Sequence, residues 1–153
     1  MRALDLKIPP PVLTLLVALA MWGLSLATSR FEISPAFRYA AVILIALVGF
    51  GVAISGVRAI RRARTTTSPI KPEAATSLVT SGIYRFTRNP MYLGLCLVLL
   101  AWAVFLSSAW AVLGPVAFVL YMNRFQIAPE ERVLSTIFGQ AFADYQSKVR
   151  RWL

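Results

Sequence analysis

The chain has 153 residues, 58% of them hydrophobic and 14% charged, with a mean hydropathy of +0.69. Because a soluble domain carries about a quarter charged residues, this composition indicates an integral membrane protein that forms one compact unit. The 16 basic residues against 6 acidic ones are typical of a cytoplasmic membrane face, so we expect membrane lipids as partners and no nucleic acid. The sequence contains no histidine, which argues against zinc, haem and histidine-activated nucleophiles, so we expect no metal.

The first half of the chain contains two apolar runs that predict membrane-spanning helices. The first run, residues 11–28, begins at the last of three consecutive prolines. A signal peptide is the alternative, but its apolar region is usually about 7–15 residues long, so we favour a retained helix. The second run, residues 37–57, is long enough to cross about 30 Å of hydrocarbon. Its glycines suit close approach by a neighbouring helix.

The second half contains an apolar stretch, residues 91–122, that is too long for a single span. Ser107 and Ser108 offer a turn in its middle, so the pattern predicts a helical hairpin with arms at residues 91–106 and 109–122. Both arms are short for a full crossing, and we therefore expect thin or tilted spans.

The residues after this hairpin have apolar positions that recur every three or four residues, the pattern of an amphipathic helix. These positions are Leu134, Phe138, Ala141, Tyr145, Val149 and Trp152. Pro129 suits the first helical position, and Gly139 is expected to weaken or bend the helix. The sequence thus predicts an all-α integral membrane protein, one domain over residues 1–153, with about four transmembrane helices and a C-terminal amphipathic cytoplasmic helix.

The basic residues indicate how these spans are oriented. With four spans and both termini on one side, fourteen basic residues share that side and two, Arg30 and Arg38, lie on the other. This bias predicts cytoplasmic termini. The fourteen are Arg2, Lys7, Arg58, Arg61, Arg62, Arg64, Lys71, Arg85, Arg88, Arg124, Arg132, Lys148, Arg150 and Arg151.

Two polar motifs fall on the same predicted cytoplasmic face. GIYRFTRNPMYLG, residues 82–94, leads into the first arm of the hairpin, and EERVLSTIFG, residues 130–139, follows its second arm. Because a short hairpin brings its two ends together, we expect the motifs to be neighbours in space.

The two motifs, with an aromatic spacing that ends at Tyr145, resemble the membrane methyltransferase superfamily, which includes isoprenylcysteine carboxyl methyltransferases and phospholipid N-methyltransferases. The resemblance covers residues 79–151. Asn89 stands where most members have histidine, which is similar to phosphatidylethanolamine methyltransferases and favours a phospholipid acceptor. Phe142 replaces the first tyrosine of the second motif, which removes one hydroxyl.

This resemblance implies S-adenosylmethionine as methyl donor, bound on the cytosolic side, and a lipidic methyl acceptor. The acceptor would be a phospholipid headgroup amine or an isoprenylcysteine carboxylate. The amino-acid end of the donor carries an ammonium, which Glu130 or Glu131 can pair with, and a carboxylate, which Arg88 and the Asn89 amide can hold. Arg88 and Glu130 are the residues expected to contribute most directly to catalysis.

The other residues that the motifs assign to the donor are expected to shape its pocket, through aromatic contacts, close backbone approach or an interrupted helix. They are Gly82, Tyr84, Pro90, Tyr92 and Gly94. Tyr121, Asn123 and Arg124 end the fourth span beside the glutamates and are candidates for the acceptor site. The alternatives are a sterol-reductase-like membrane enzyme and a non-catalytic accessory protein of the membrane.

The charge bias makes a testable prediction of topology. Reporter fusions at Met1, Ser34, Lys71, Ser107 and Leu153 should read in, out, in, out and in, because the positively charged loops stay in the cytoplasm. A signal from the far side of the membrane at Lys71 would contradict the prediction, since it would separate the motifs from a cytosolic donor.

Overall fold

The computed structural model describes residues 5–65 and 72–153, so Arg2 and Lys71 of the charge count lie outside the described residues. Within these ranges the chain is helical and contains no β-strand, which confirms the all-α prediction. Its α-helices are α1 (Pro10–Leu26), α2 (Pro35–Arg62), α3 (Pro90–Leu106), α4 (Leu113–Tyr121) and α5 (Ala128–Lys148). Short 3₁₀ turns cover Pro72–Ala74, Gly82–Arg85 and Ala109–Val112, and a π-helical segment covers Met122–Ile127.

Proline begins three of these helices. Pro10, Pro35 and Pro90 are the first residues of α1, α2 and α3. A proline fits this position because its fixed φ is already helical and the N–H that it lacks would have no partner inside the helix. The sequence therefore determines where these three helices begin.

Helices α2 and α3 pack closely and antiparallel through their glycines. A Cβ added to Gly94 of α3 would lie 2.5 Å from the carbonyl oxygen of Gly49 and 2.7 Å from the Cβ of Ala53, both in α2. Nearer the carboxyl end of α2, a Cβ added to Gly56 would lie 2.9 Å from the ring of Pro90, the first residue of α3. Backbone and side chain thus fill the space that a larger residue would need. The expected role of the α2 glycines in helix packing is borne out at Gly49 and Gly56.

Helix α1 runs antiparallel to the segment that includes α4. The side chain of Met21 packs against Gly114, where an added Cβ would meet its sulfur. At the end of the bundle away from the motifs, the hydroxyls of Thr28 and Ser108 are 2.9 Å apart. Ser107, in the left-handed conformation with φ +51°, makes the turn after α3. The turn between the two arms of the hairpin therefore lies at the predicted residues.

The chain is helical from Ala109 to Lys148 apart from a kink at Gly139, so no loop separates the fourth apolar run from the amphipathic segment. The helix continues through Pro129, which lies just after the π-helical segment. Pro129 has no N–H to donate to the carbonyl of Phe125 one turn earlier, and the N–H of Leu6 donates to that carbonyl instead, at 3.0 Å. Gly139 adopts φ +51° and ψ −124° inside α5, so it bends the helix as expected.

Much of the helical surface is apolar and faces outward. Helix α2 buries only Gly49, Gly56 and Ile60, while Leu44 and Leu47 are each 65% exposed. A soluble protein rarely exposes a continuous apolar surface of this kind to water. The lipid chains of a bilayer can contact such a surface without an unfavourable free energy of exposure to water. Helix α2 and the continuous helix Ala109–Lys148 are long and apolar enough to cross a membrane. Helices α1 and α3 are apolar and 17 residues long, so the count of four crossings stays a prediction.

The packing of α2 on α3 predicts opposite effects for two glycines. Gly94→Ala should lower the thermal unfolding temperature in detergent, because the new methyl group meets backbone and Cβ atoms and over-packing costs about 1–3 kcal/mol. Gly51→Ala is the matched control, since nothing lies within 4 Å of its added Cβ and alanine favours a helix by about 1 kcal/mol over glycine. Equal unfolding temperatures for the two variants would contradict this packing.

Candidate functional site

A pocket lies where the two motifs meet, beside the carboxyl end of α2. It holds about 860 Å³ of empty space, a figure that includes the open solvent at its mouth. Seven of the residues expected to bind the donor line it, namely Tyr84, Arg88, Asn89, Pro90, Tyr92, Glu130 and Glu131. The hairpin thus brings these residues of the two motifs together.

Glu130 is the carboxylate of this pocket that has no cationic partner. Its Oε2 accepts a hydrogen bond from the hydroxyl of Tyr92 at 2.9 Å, and that hydroxyl lies 3.5 Å from the amide nitrogen of Gln126. None of the ion pairs among residues 5–65 and 72–153 includes Glu130. A carboxylate in this position is suited to receive positive charge from a ligand.

Glu131 is held by two arginines instead. Its Oε1 accepts from Arg88 Nη2 at 2.7 Å and from Arg151 Nε at 3.0 Å. Its Oε2 accepts from both Nη2 and Nε of Arg151. The sequence left the two adjacent glutamates as alternatives for one role, but the structure places them in different environments. The charge of Glu131 is therefore already paired with two guanidinium groups.

The stretch Thr87–Asn89 is hydrogen-bonded to the last residues of the sequence. Arg88 donates from its backbone N–H to the carbonyl of Arg150 at 3.0 Å, and from its Nη1 to the carbonyls of Gln146 and Val149. The carbonyl of Arg151 accepts from the Thr87 hydroxyl and from the Asn89 amide, each at 3.0 Å. These polar side chains at the start of α3 are therefore compensated by backbone carbonyls. The Asn89 amide, expected on the donor's carboxylate, is engaged with the protein.

Tyr84 contributes a buried phenol to the pocket. Burial, assisted by the charge of Glu130, raises the pKa of Tyr84 well above its usual value, so this hydroxyl stays neutral at physiological pH. The hydroxyl of Tyr145 donates to the backbone carbonyl of Tyr84 at 2.7 Å. This bond fixes the Gly82–Arg85 turn on α5.

Two glycines of the first motif lie away from the pocket lining. Gly82 has φ +62° and borders a neighbouring groove, so its backbone freedom serves the turn. Gly94 packs against Gly49 of α2, where close helix contact explains the absence of a side chain. The predicted contact of Gly82 and Gly94 with the donor stays a prediction.

The three candidates for the acceptor also lie outside the pocket lining. Asn123 accepts a hydrogen bond from the indole of Trp152 at 3.0 Å, and Arg124 lies over the ring of Phe125 at 5.4 Å. The hydroxyl of Tyr121 is buried and has no hydrogen-bond partner among the described residues. Their role at the acceptor site stays a prediction.

Sequence reasoning missed the pocket's apolar wall and Arg151. The wall includes Ile60, Leu134, Phe138 and Phe142. Leu134 and Phe138 belonged to the predicted apolar face of the amphipathic helix, but that periodicity did not show what the face lines. Phe142 was identified only as the residue that replaces a tyrosine of the second motif. Arg151 was counted solely as a charge for topology, and nothing in the sequence places it on Glu131.

The contacts of Arg88 predict the effect of a conservative change. Arg88→Lys keeps the charge but loses the planar fork that reaches Glu131, Gln146 and Val149 together. Hydrogen exchange of the amides of residues 149–152 should therefore accelerate at least severalfold. Arg85→Lys, at an exposed arginine three residues earlier, is the control and should leave exchange unchanged. Protection equal to wild type in Arg88→Lys would show that the fork does not hold this segment.

Comparisons with known proteins agree with the two motifs. A protein of Haemophilus influenzae, described only as uncharacterized, is 51% identical over 63 residues, which is 41% of this chain and the full length of that protein. The model of the phospholipid methyltransferase family matches residues 37–141, which confirms the resemblance to membrane methyltransferases. Because the match covers more than half of the sequence, the chain belongs to the phospholipid methyltransferase family, whose members are membrane methyltransferases that act on lipid.

Proposed function

We propose that this chain transfers a methyl group from S-adenosylmethionine to a lipidic acceptor, either a phospholipid headgroup amine or an isoprenylcysteine carboxylate. The observation that carries the proposal is Glu130. It is a carboxylate without a cationic partner among the described residues, in a pocket beside an apolar helical surface. We also propose a multi-pass arrangement with both termini and the pocket on the cytoplasmic side, because a soluble donor must reach the site.

The residues of the pocket fit this donor. Glu130 offers a negative charge for its ammonium or sulfonium, and Tyr92 holds that carboxylate in place. Arg88 lines the pocket and carries a positive charge that can attract the donor's carboxylate. The apolar wall of Leu134 and Phe138 suits the uncharged remainder of the molecule.

S-adenosylmethionine, when bound, supplies an electrophilic methyl group on a positively charged sulfur. The chain contributes binding, orientation and exclusion of water, and the displacement releases S-adenosylhomocysteine without covalent help from the protein. A carboxylate acceptor needs no base, whereas an amine acceptor must also lose a proton, which passes to a glutamate, a tyrosine or water because the sequence has no histidine. Glu130 and Arg88 orient the charged groups of the donor. Tyr84, which remains protonated, provides a fixed hydroxyl donor in the same pocket.

The acceptor side of the proposal rests on the position of the pocket. The bent helix α5 and the end of α2 form its apolar wall, and α2 continues into the outward-facing apolar surface. A lipid can therefore present its headgroup to the pocket while its chains remain in hydrocarbon. Exposed arginines at the end of α2, Arg58, Arg61 and Arg62, suit the phosphate of a phospholipid. With Asn89 in the first motif, they favour the headgroup amine of the two acceptors.

Glu130→Gln tests the donor site. It should weaken the binding of S-adenosylhomocysteine, measured by isothermal titration in detergent, by about 1.5–3 kcal/mol, the usual worth of a hydrogen bond to a charged group. Glu73→Gln is the matched control, since Glu73 is exposed and lies outside the pocket lining. Unchanged affinity in Glu130→Gln, with the protein folded, would remove Glu130 from the donor site.

Methyl transfer itself is tested on acceptors of both classes. Purified protein in nanodiscs should methylate phosphatidylethanolamine or a prenylcysteine when given labelled donor, and mass analysis identifies which. Failure of folded wild-type protein both to bind S-adenosylhomocysteine and to label any lipid of a total extract would refute the proposed function.

A further inference from the structure

The ion cluster at the pocket has one more positive charge than negative. Glu131 contributes a single negative charge, and Arg88 and Arg151 each contribute a positive one. The side chains of Arg88 and Glu131 are 12% and 13% exposed, whereas that of Arg151 is 39% exposed. Water therefore screens the two inner groups only weakly. If Arg151 were absent, the charges of Arg88 and Glu131 would cancel.

Arg88 and Arg151 share the two carboxylate oxygens of Glu131. Because Arg151 donates from two nitrogens and occupies Glu131 Oε2, Arg88 gives Glu131 a hydrogen bond from Nη2 alone. The Nη1 of Arg88 is used by backbone carbonyls. Its Nε remains buried without a partner among the described residues. The cluster thus has a surplus positive charge at a residue that lines the pocket.

We propose that Arg151 is a positioning residue that makes the Arg88 site selective for a carboxylate-bearing donor. It neutralises Glu131, so that the charge of Arg88 is available to the donor's carboxylate. This inference rests on the proposed function and extends it to a residue beyond the two motifs and beyond residues 37–141. The adjacent glutamates then have different roles, since Glu130 meets positive charge on the ligand and Glu131 keeps Arg88 and Arg151 in place.

The test compares two ligands that differ by one carboxylate. S-adenosylhomocysteine has it, and S-adenosyl-3-thiopropylamine is the same molecule without it. Arg151→Met should weaken binding of S-adenosylhomocysteine by roughly tenfold or more, in line with a hydrogen bond to a charged group, and should change binding of the amine by less than about threefold. Arg151→Lys, which keeps the charge, should recover most of the affinity. Arg150→Met is the control, because Arg150 is exposed and forms no ion pair among the described residues.

A double variant separates charge from folding. Adding Glu131→Gln to Arg151→Met restores the net charge of +1 on the cluster, so affinity for S-adenosylhomocysteine should rise above that of the single variant. A purely structural role predicts the opposite, because the double variant has lost both partners of the ion pair.

Equal losses for both ligands in Arg151→Met, or no loss for either, would overturn the inference. So would a double variant that binds worse than the single one, or a control Arg150→Met that loses as much. If wild-type protein binds neither ligand, the proposed function fails and this inference fails with it. If wild-type protein binds S-adenosylhomocysteine and Arg151→Met binds it equally well, the inference fails but the proposed function stands.

Discussion

The carboxylate of Glu131 lies between the guanidinium groups of Arg88 and Arg151, and the rest of the site depends on this arrangement. It joins the start of α3, the first turn of α5 and the last residues of the sequence, which are far apart along the chain. A half-satisfied ionic group at low dielectric is costly, so the three segments are held to one geometry. The backbone carbonyls that accept from Thr87, Arg88 and Asn89 reinforce it.

The sequence allowed much of this architecture to be predicted. Apolar runs determine helices, and prolines such as Pro10, Pro35 and Pro90 determine where three of them begin. The serines at 107 and 108 indicated the turn of the hairpin, and that turn is what brings the two motifs to one pocket. These features are local, since each depends on the conformation of a few neighbouring residues.

The division of labour within the site could not be predicted, because it depends on partners distant in sequence. Glu130 and Glu131 are chemically identical, and only the positions of Tyr92 and Arg151 distinguish them. The sequence did not show that the amide of Asn89, which was predicted to hold the donor's carboxylate, donates to the carbonyl of Arg151. Gly94 belonged to a motif and yet contacts α2. The sequence also did not show that the helix continues through Pro129. The carbonyl of Phe125 receives no N–H from Pro129 and accepts a hydrogen bond from the distant Leu6 instead.

The π-helical segment Met122–Ile127 has a consequence for the angular register of the last helix. Each residue of an α-helix turns the chain by about 100°, and a π-helical turn accommodates one residue more than an α-helical turn. Glu130 and Leu134 therefore point into the pocket only because this surplus residue is absorbed upstream of them. If the same residues wound as a plain α-helix, Glu130 and Leu134 would be rotated by about 100°, roughly a quarter of a turn, relative to α4. A single deletion is therefore accommodated within this segment, where it restores an α-helical turn, and not in the regular turns of α4, where it would rotate Glu130 away from the pocket.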